Sequence, residues 1–230
     1  MKVAVVTPYY QEDRKTILRN IKSVASQTHD DVIHVLVSDG YPQDWINDVN
    51  MHHLAMPNTG DCGDTPRLVG AAYASAQGCD AVVFLDADCW LDDHHVEKMV
   101  EAQAITRAGI VTCPRKIWDK FTDEYFGVDL ESDGVRFNDT NCYMVMRPVF
   151  RVMANWGFKP MDKGLIGDRF FWEACLRAGT PIARTTHTMV NYHSDFVCHF
   201  EMFGKPVPGN AKVIEFDGEK FVHVRWKDKK

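Results

Sequence analysis

Apolar residues in this chain come in short, β-branched runs separated by stretches with helical spacing. Residues 3–6 (Val-Ala-Val-Val), 32–37 (Val-Ile-His-Val-Leu-Val) and 81–85 (Ala-Val-Val-Phe-Leu) are the clearest runs. Runs this short, bounded by Pro, Gly or Asp, read as buried strands. Pro8 is expected to break the first strand after Val6. Between the first two runs, Ile17, Leu18, Ile21 and Val24 fall on one face of a helix. Residues 44–51 read as a short helix, 53–56 as a strand, and 66–76 as a helix whose proline is tolerated in the first turn. Alternating strands and helices over residues 1–100 predict an α/β fold with a doubly wound, mostly parallel sheet. Farther on, the spacing predicts helices at 92–106, 149–154 and 167–178 and strands at 110–113 and 142–146. Residues 213–216 and 221–226, around Asp217-Gly218, predict a C-terminal β-hairpin. Residues 118–138 are acidic and aromatic and show no assignable period.

In doubly wound sheets, ligands bind beyond the carboxyl ends of the strands. Tyr9, Asp39 and the pair Asp86 and Asp88 each follow a predicted strand, so they are expected to converge. In an extended segment, residues i and i+2 point to the same side, which aims the two carboxylates of Asp86-Ala-Asp88 at one spot. Acids at the end of a core strand are costly to desolvate unless paired. Mg²⁺ or Mn²⁺ favours such oxygen ligands and commonly shares them with phosphates. A loop of solvated acids is the alternative reading.

Composition narrows the classes. The 230 residues are 45% hydrophobic and 25% charged, as expected of one globular domain. A formal charge of −6, with no basic stripe, argues against nucleic-acid binding. No apolar run is long enough for a transmembrane helix. The N-terminus lacks the features of a signal peptide. Seven scattered cysteines without a Cys-x-x-Cys motif suggest reduced thiols and a cytoplasmic location.

Four stretches, taken in order, resemble glycosyltransferase family 2, the inverting enzymes with the GT-A fold. They are Val3-Ala4-Val5-Val6-Thr7-Pro8-Tyr9-Tyr10; Ser26-Gln27-Thr28 with Val37-Ser38-Asp39-Gly40; residues 81–90 with the Asp-x-Asp; and Gly167-Asp168-Arg169-Phe170-Phe171-Trp172 with Leu176-Arg177-Ala178-Gly179. The chain departs from the family pattern at Ser38, Cys89 and Gly167, where acids are common.

The resemblance implies a metal-dependent inverting hexosyltransferase using a nucleotide-diphospho-sugar, with UDP as the expected nucleotide, and an acceptor hydroxyl. It implies a single GT-A domain over 1–230, with residues 1–100 binding the donor and 101–230 bringing the base and the acceptor surface. In that frame Thr7 and Tyr9 contact the nucleotide base, Asp39 the uracil or ribose, and Arg67 the diphosphate. Asp86 assists through the ribose or a metal-bound water. Asp88 binds Mn²⁺ or Mg²⁺, with His193 as a third ligand and His187 and His199 as rivals. Asp168 is the general base, and Asn141 and Trp156 lie on the acceptor side. A nucleotidyltransferase or a non-catalytic sugar-binding module are the competing readings. The sugar, acceptor and oligomeric state stay open.

Overall fold

The computed structural model describes residues 1–49, 51–159, 166–217 and 220–226. Its centre is a seven-stranded sheet built from β1 (Val3–Tyr9), β2 (Val32–Asp39), β3 (His52–Met56), β4 (Ala81–Phe84), β6 (Ile110–Thr112), β9 (Tyr143–Met146) and β10 (Ile182–Arg184). The strand order is β10-β6-β9-β4-β1-β2-β3. Every pairing is parallel except those of β9, which runs antiparallel to both neighbours. This is the mostly parallel α/β sheet that the alternation predicts.

Every residue of β1 is buried, so both faces of the sheet are covered. Helix α1 (Arg14–Ala25) covers one face: its Ile17 and Ile21 pack with Leu36. Helix α2 (Asp64–Ala76) covers the other. There Gly70 sits so close to β1 and β2 that a Cβ would lie 2.4 Å from Val6 Cγ1 and 3.1 Å from Val37 Cγ2. Leu36 and Val37 are adjacent in β2 and serve opposite faces, as strand alternation requires.

Pro8 does not end β1. The strand runs on to Tyr9, paired with β2 as far as Ser38, while pairing with β4 stops at Val6. Main-chain groups alternate sides along a strand, and Val6 faces β4 by accepting from Leu85 N at 3.0 Å. Pro8 faces the same side, beyond the point where β4 has ended, so its missing donor breaks no ladder bond.

A second sheet has the order β5-β11-β7-β8, from β5 (Trp90–Leu91), β7 (Arg115–Asp119), β8 (Tyr125–Val128) and β11 (Val190–Ser194). Two of its strands lie in or next to the stretch without a readable period. In β7 the buried positions are Arg115, Ile117 and Asp119, so the alternation is present but two of its three inward residues are charged. Helix α3 (His95–Thr106) begins later than expected because the chain first turns out of β5, with His95 N donating to Asp92 O at 3.0 Å. The residues expected as a helix at 149–154 form a 3₁₀ stretch (Arg147–Met153) that leads into the short α4 (Ala154–Gly157). Helix α5 (Gly167–Arg177) and α6 (Val197–Met202) follow. The antiparallel pair β12 (Lys212–Asp217) and β13 (Lys220–Trp226) forms the expected hairpin, whose turn lies outside the described residues. Among the described residues no helix is long and apolar enough to cross a membrane.

Candidate functional site

A cleft of about 460 Å³ opens at the carboxyl ends of β1, β2 and β4. Tyr9, Asp39, Asp86 and Asp88 all line it, together with Glu12 and Arg67. The convergence expected from strand order is therefore what the fold produces. The loop after β2 turns at Gly40, whose φ is +89°. A Cβ there would lie 2.5 Å from Asn58 Cβ, so the turn demands glycine. Asp39 accepts from Thr59 N at 2.7 Å, and the Thr59 hydroxyl shares its one proton between Asp39 at 3.1 Å and Asp61 at 2.9 Å. Asp61 in turn accepts from Thr65 N in the first turn of α2 at 3.0 Å. These bonds hold Asp39 at the rim and fix where α2 begins.

Arg67 stands one turn into α2 and is buried to 8% side-chain exposure. Its guanidinium pairs with Asp86, with Asp64 at 3.0 Å and with the Cys62 carbonyl at 3.1 Å. It also lies 5.2 Å above the Trp156 ring. Asp86 is held from its other side by Asn141. The Asn141 amide donates to Asp86 Oδ2 and Asp139 Oδ1, each at 2.9 Å, and its carbonyl accepts from Asp86 N at 2.5 Å. Asp139 is paired with Arg115, whose Nε donates to Asp129 at 2.7 Å. Asn20, on α1, donates to the Asp86 and Cys89 carbonyls at 2.9 and 3.0 Å and so sets the turn that carries both acids.

Asp88 is as exposed as Asp86, at 27% against 26% side-chain exposure, but has fewer partners. Its Oδ2 accepts from Lys120 at 2.8 Å, and Oδ1 meets only the weak donor Cys89 Sγ at 3.6 Å. Glu12, across the same cleft, has its carboxyl pushed up by burial and by the charge of Asp88.

Asp168 does not line the cleft. It stands in the first turn of α5, where its Oδ1 accepts from Arg169 N at 2.7 Å. Gly167 beside it abuts the Arg67 network: a Cβ there would lie 2.2 Å from Asp64 Oδ2. Burial, and then the charge of Asp139, push the Asp168 carboxyl up to about 7. Asp64 and Asp139 are each one residue removed from Asp86, through Arg67 and Asn141 respectively. Asp168 thus stands close to the network that holds Asp86, outside the residues that line the cleft. Asp64 is itself pushed up to about 6, mainly by burial, against the pull of Arg67 and Lys159.

The sequence matches the family described as glycosyl transferase family 2 over residues 4–203. The chain belongs to this family. No curated protein sequence matches it significantly. Among solved structures it is similar to S. aureus TarS, with a TM-score of 0.65 at 13% identity, covering 85% of this chain and 37% of that one. It is also similar to the TarS 1–349 fragment in complex with UDP (TM-score 0.62, 14% identity, 88% of this chain and 63% of that one). The complex of that fragment with UDP-GlcNAc gives a TM-score of 0.63 at 13% identity, over 84% of this chain and 59% of that one. The likeness is one of fold, and the chain spans less than two thirds of each of these TarS chains.

Several residues of this family 2 chain sit elsewhere than their sequence positions suggested. Thr7 does not reach the cleft: it is fully buried on the α1 face, with its hydroxyl 2.9 Å from His34 Nε2 and 3.3 Å from Asn20 Oδ1. The reason is the continuation of β1 past Pro8, which keeps Thr7 under a helix. Tyr9 borders the cleft, but its ring is 2% exposed and its hydroxyl is taken by His53 (2.8 Å) and Gln43 N (3.0 Å), so no ring face is free for stacking. Tyr10 next to it is 41% exposed and packs edge-on against Tyr41 at 4.7 Å. Trp156 is not an acceptor surface: it is fully buried and stacked on Phe171 at 4.3 Å. Asn141 is fully buried too, and it positions Asp86 rather than facing an acceptor.

His193 does not join Asp88 in a ligand set. Its Nδ1 accepts from Arg19 at 2.9 Å and its Nε2 lies 2.8 Å from Asp123. The rival His199 is buried, with Nδ1 2.6 Å from the Ser194 hydroxyl. Among the described residues no three His, Cys, Asp or Glu side chains are grouped to hold a metal.

Lys120, Asn20 and Glu12 were missed. Asn20 carried a readable signal, a polar residue on the apolar face of α1. Lys120 lay in the stretch without a period and carried none.

Proposed function

We propose that this chain is a metal-dependent inverting glycosyltransferase that moves a hexose from a UDP-sugar to an acceptor hydroxyl. The observation that carries this reading is the cleft itself: in a family 2 chain, one arginine and four carboxylates gather at the carboxyl ends of three parallel strands. The UDP and UDP-GlcNAc complexes of the structurally similar TarS support the choice of donor. Residues 1–100 form the donor half, and 101–230 bring the base and the acceptor surface.

Asp39 receives the nucleoside, with Tyr10 replacing Tyr9 as the aromatic available to the base. Arg67 faces the diphosphate from the cleft floor, at the start of a helix whose N-terminal end favours anions. Mg²⁺ is commonly held by one or two carboxylates plus substrate phosphates, without a dedicated protein cage. Asp88, with one oxygen free of any charged partner and Asp86 beside it, fits that mode. When bound, the cation would neutralise charge on the departing diphosphate. Asp168 does not line the cleft, but it lies beside the network that holds Asp86, and on its place in the family 2 pattern it is assigned the proton of the acceptor hydroxyl. A base near the ambient pH is matched to that task, and a carboxyl at about 7 meets the requirement.

The test is Asp168→Asn. Transfer from a UDP-sugar should fall by about two orders of magnitude, a barrier increase near 3 kcal/mol, with UDP binding retained. Product analysis should find UDP released rather than pyrophosphate. Near wild-type transfer by the variant, or pyrophosphate among the products, would reject the assignment.

A further inference from the structure

The two acids of the Asp-x-Asp each carry a protein cation, but the two cations are held very differently. Arg67 is locked by two carboxylates and a carbonyl inside the core. Lys120 reaches Asp88 from the turn between β7 and β8, at 35% side-chain exposure against 27% for Asp88. Its main chain is anchored by Lys120 N donating to Ser194 O at 2.9 Å, while the ammonium rests 2.8 Å from Asp88 Oδ2. The next acid, Asp195, is 3.9 Å away and already has Lys212 at 2.9 Å. Asp88 is therefore the close partner of Lys120, whose ammonium, unlike the Arg67 guanidinium, has one acid at hydrogen-bond distance among the described residues.

We propose that Lys120 is a displaceable counter-ion that makes divalent-cation binding at Asp88 conditional on the diphosphate of the donor. This rests on the reading of the cleft as a nucleotide-sugar site. A bare divalent cation approaching Asp88 meets a resident positive charge and finds no three-acid set among the described residues to complete its shell. A diphosphate changes both terms. Its oxygens supply the missing ligands, and its negative charge gives the released ammonium a new partner. Lysine suits this exchange because it is a mobile point charge, whereas the planar fork of Arg67 is fixed by several acceptors at once. By linkage, diphosphate and cation then raise each other's affinity by the same factor.

The experiment measures Mn²⁺ binding by electron paramagnetic resonance of the free ion, with and without UDP. It compares the wild type, Lys120→Met and the charge-retaining Lys120→Arg. Lys120→Met should bind bare Mn²⁺ about fivefold more tightly or better, and UDP should enhance its Mn²⁺ binding less than it does for the wild type. Lys120→Arg should stay near the wild type. Circular dichroism and melting temperature establish that each variant is folded, with Lys120→Gln as the substitute should the methionine variant fail. Bare Mn²⁺ binding by the folded neutral variant that is equal to or weaker than wild type, undetectable binding in both included, overturns the proposal. Failure of the donor reading looks different: UDP would then change neither Mn²⁺ binding nor melting temperature in any of the proteins. A gain in bare Mn²⁺ affinity in Lys120→Met would persist, showing the counter-ion without its link to the donor.

Discussion

The Asp86 side and the Asp88 side of the cleft are two residues apart in sequence and solve opposite problems. On the Asp86 side the cations are buried and every charge is answered, although Asp86 itself keeps 26% side-chain exposure. Arg67, Asp64, Lys159, Asn141, Asp139 and Arg115 form a continuous network under the cleft floor. On the Asp88 side a single exposed lysine answers a single half-exposed acid. A buried network is costly to break, because removing one partner leaves the other charged in a low-dielectric setting. An exposed pair is nearly neutral in stability and free to exchange partners. The difference separates a floor that must stay in place from a contact that can open when a ligand arrives.

The largest expected effect tests the floor. Arg67→Met keeps the bulk of the stem but strands Asp86 and Asp64 without their shared cation. Unfolding in urea should show a loss of about 3–5 kcal/mol, the usual cost of removing one partner from a buried pair. A loss below 1 kcal/mol would mean that the network relaxes or admits water, and the contrast between the two sides would disappear.

How much of this was readable depended on how a residue's neighbours were chosen. The parallel sheet was legible because apolar runs such as 32–37 and 81–85 state their own burial. The convergence of Asp39, Asp86 and Asp88 followed from strand order alone. Thr7 was misplaced because one proline was taken to end a strand, whereas what matters is which side of the strand that proline faces. Trp156 and Asn141 were assigned to a surface because aromatic and amide side chains look alike in sequence whether they serve a sugar or a core. The β7–β8 region was opaque for a deeper reason: Arg115 and Asp119 occupy inward positions that usually hold apolar residues. The charge of Arg115 is satisfied by residues distant in the chain, Asp129 and Asp139, and that of Asp119 by the Phe121 amide and the Thr122 hydroxyl of the turn that follows. Lys120 lies in the same region, so its meeting with Asp88 could not be read from either segment alone.

The two sides should also differ in their response to pH. Asp64 and Asp168 have carboxyls raised to about 6 and about 7, above the ordinary aspartate value of 3.8. Between about pH 4 and 7 these two acids therefore hold more protons in the folded chain than in the unfolded one. Their own contribution to stability falls as pH rises through that window, since each acid becomes charged at greater cost in the folded state, while His34, His95 and His199, pushed down by burial to about 3, 4 and 4, contribute the opposite slope below about pH 6.5. The comparison that isolates Asp168 is with Asp168→Asn: from pH 4.5 to 8 the melting temperature of the wild type should decline relative to that of the variant. In the proposed reaction the same carboxyl gives the opposite dependence, because only its deprotonated form is a base. Turnover should rise with pH through about 7 while the Asp168 contribution to stability falls.

The smallest expected effect falls on the open side. Lys120 has its pKa raised, with Asp88 the leading favourable influence against the cost of burial. Its contribution to stability is thus present throughout the neutral range and fades only as pH climbs past the ordinary lysine value of 10.5. At neutral pH that contribution is modest, because the pair is partly solvated and screened by salt. Lys120→Met should change unfolding free energy by about 1 kcal/mol or less, with little variation between pH 5 and 8. Arg67→Met and Lys120→Met each remove the cation that answers one acid of the same Asp-x-Asp, so the pair of measurements compares a cation buried in a network with a partly exposed one. If Lys120→Met costs as much as Arg67→Met, Lys120 is a structural strut, and an exchange of partners at Asp88 would be too expensive to accompany ligand binding. If it costs little, the ammonium can leave Asp88 without loosening the fold, which is the energetic condition that a displaceable counter-ion must meet.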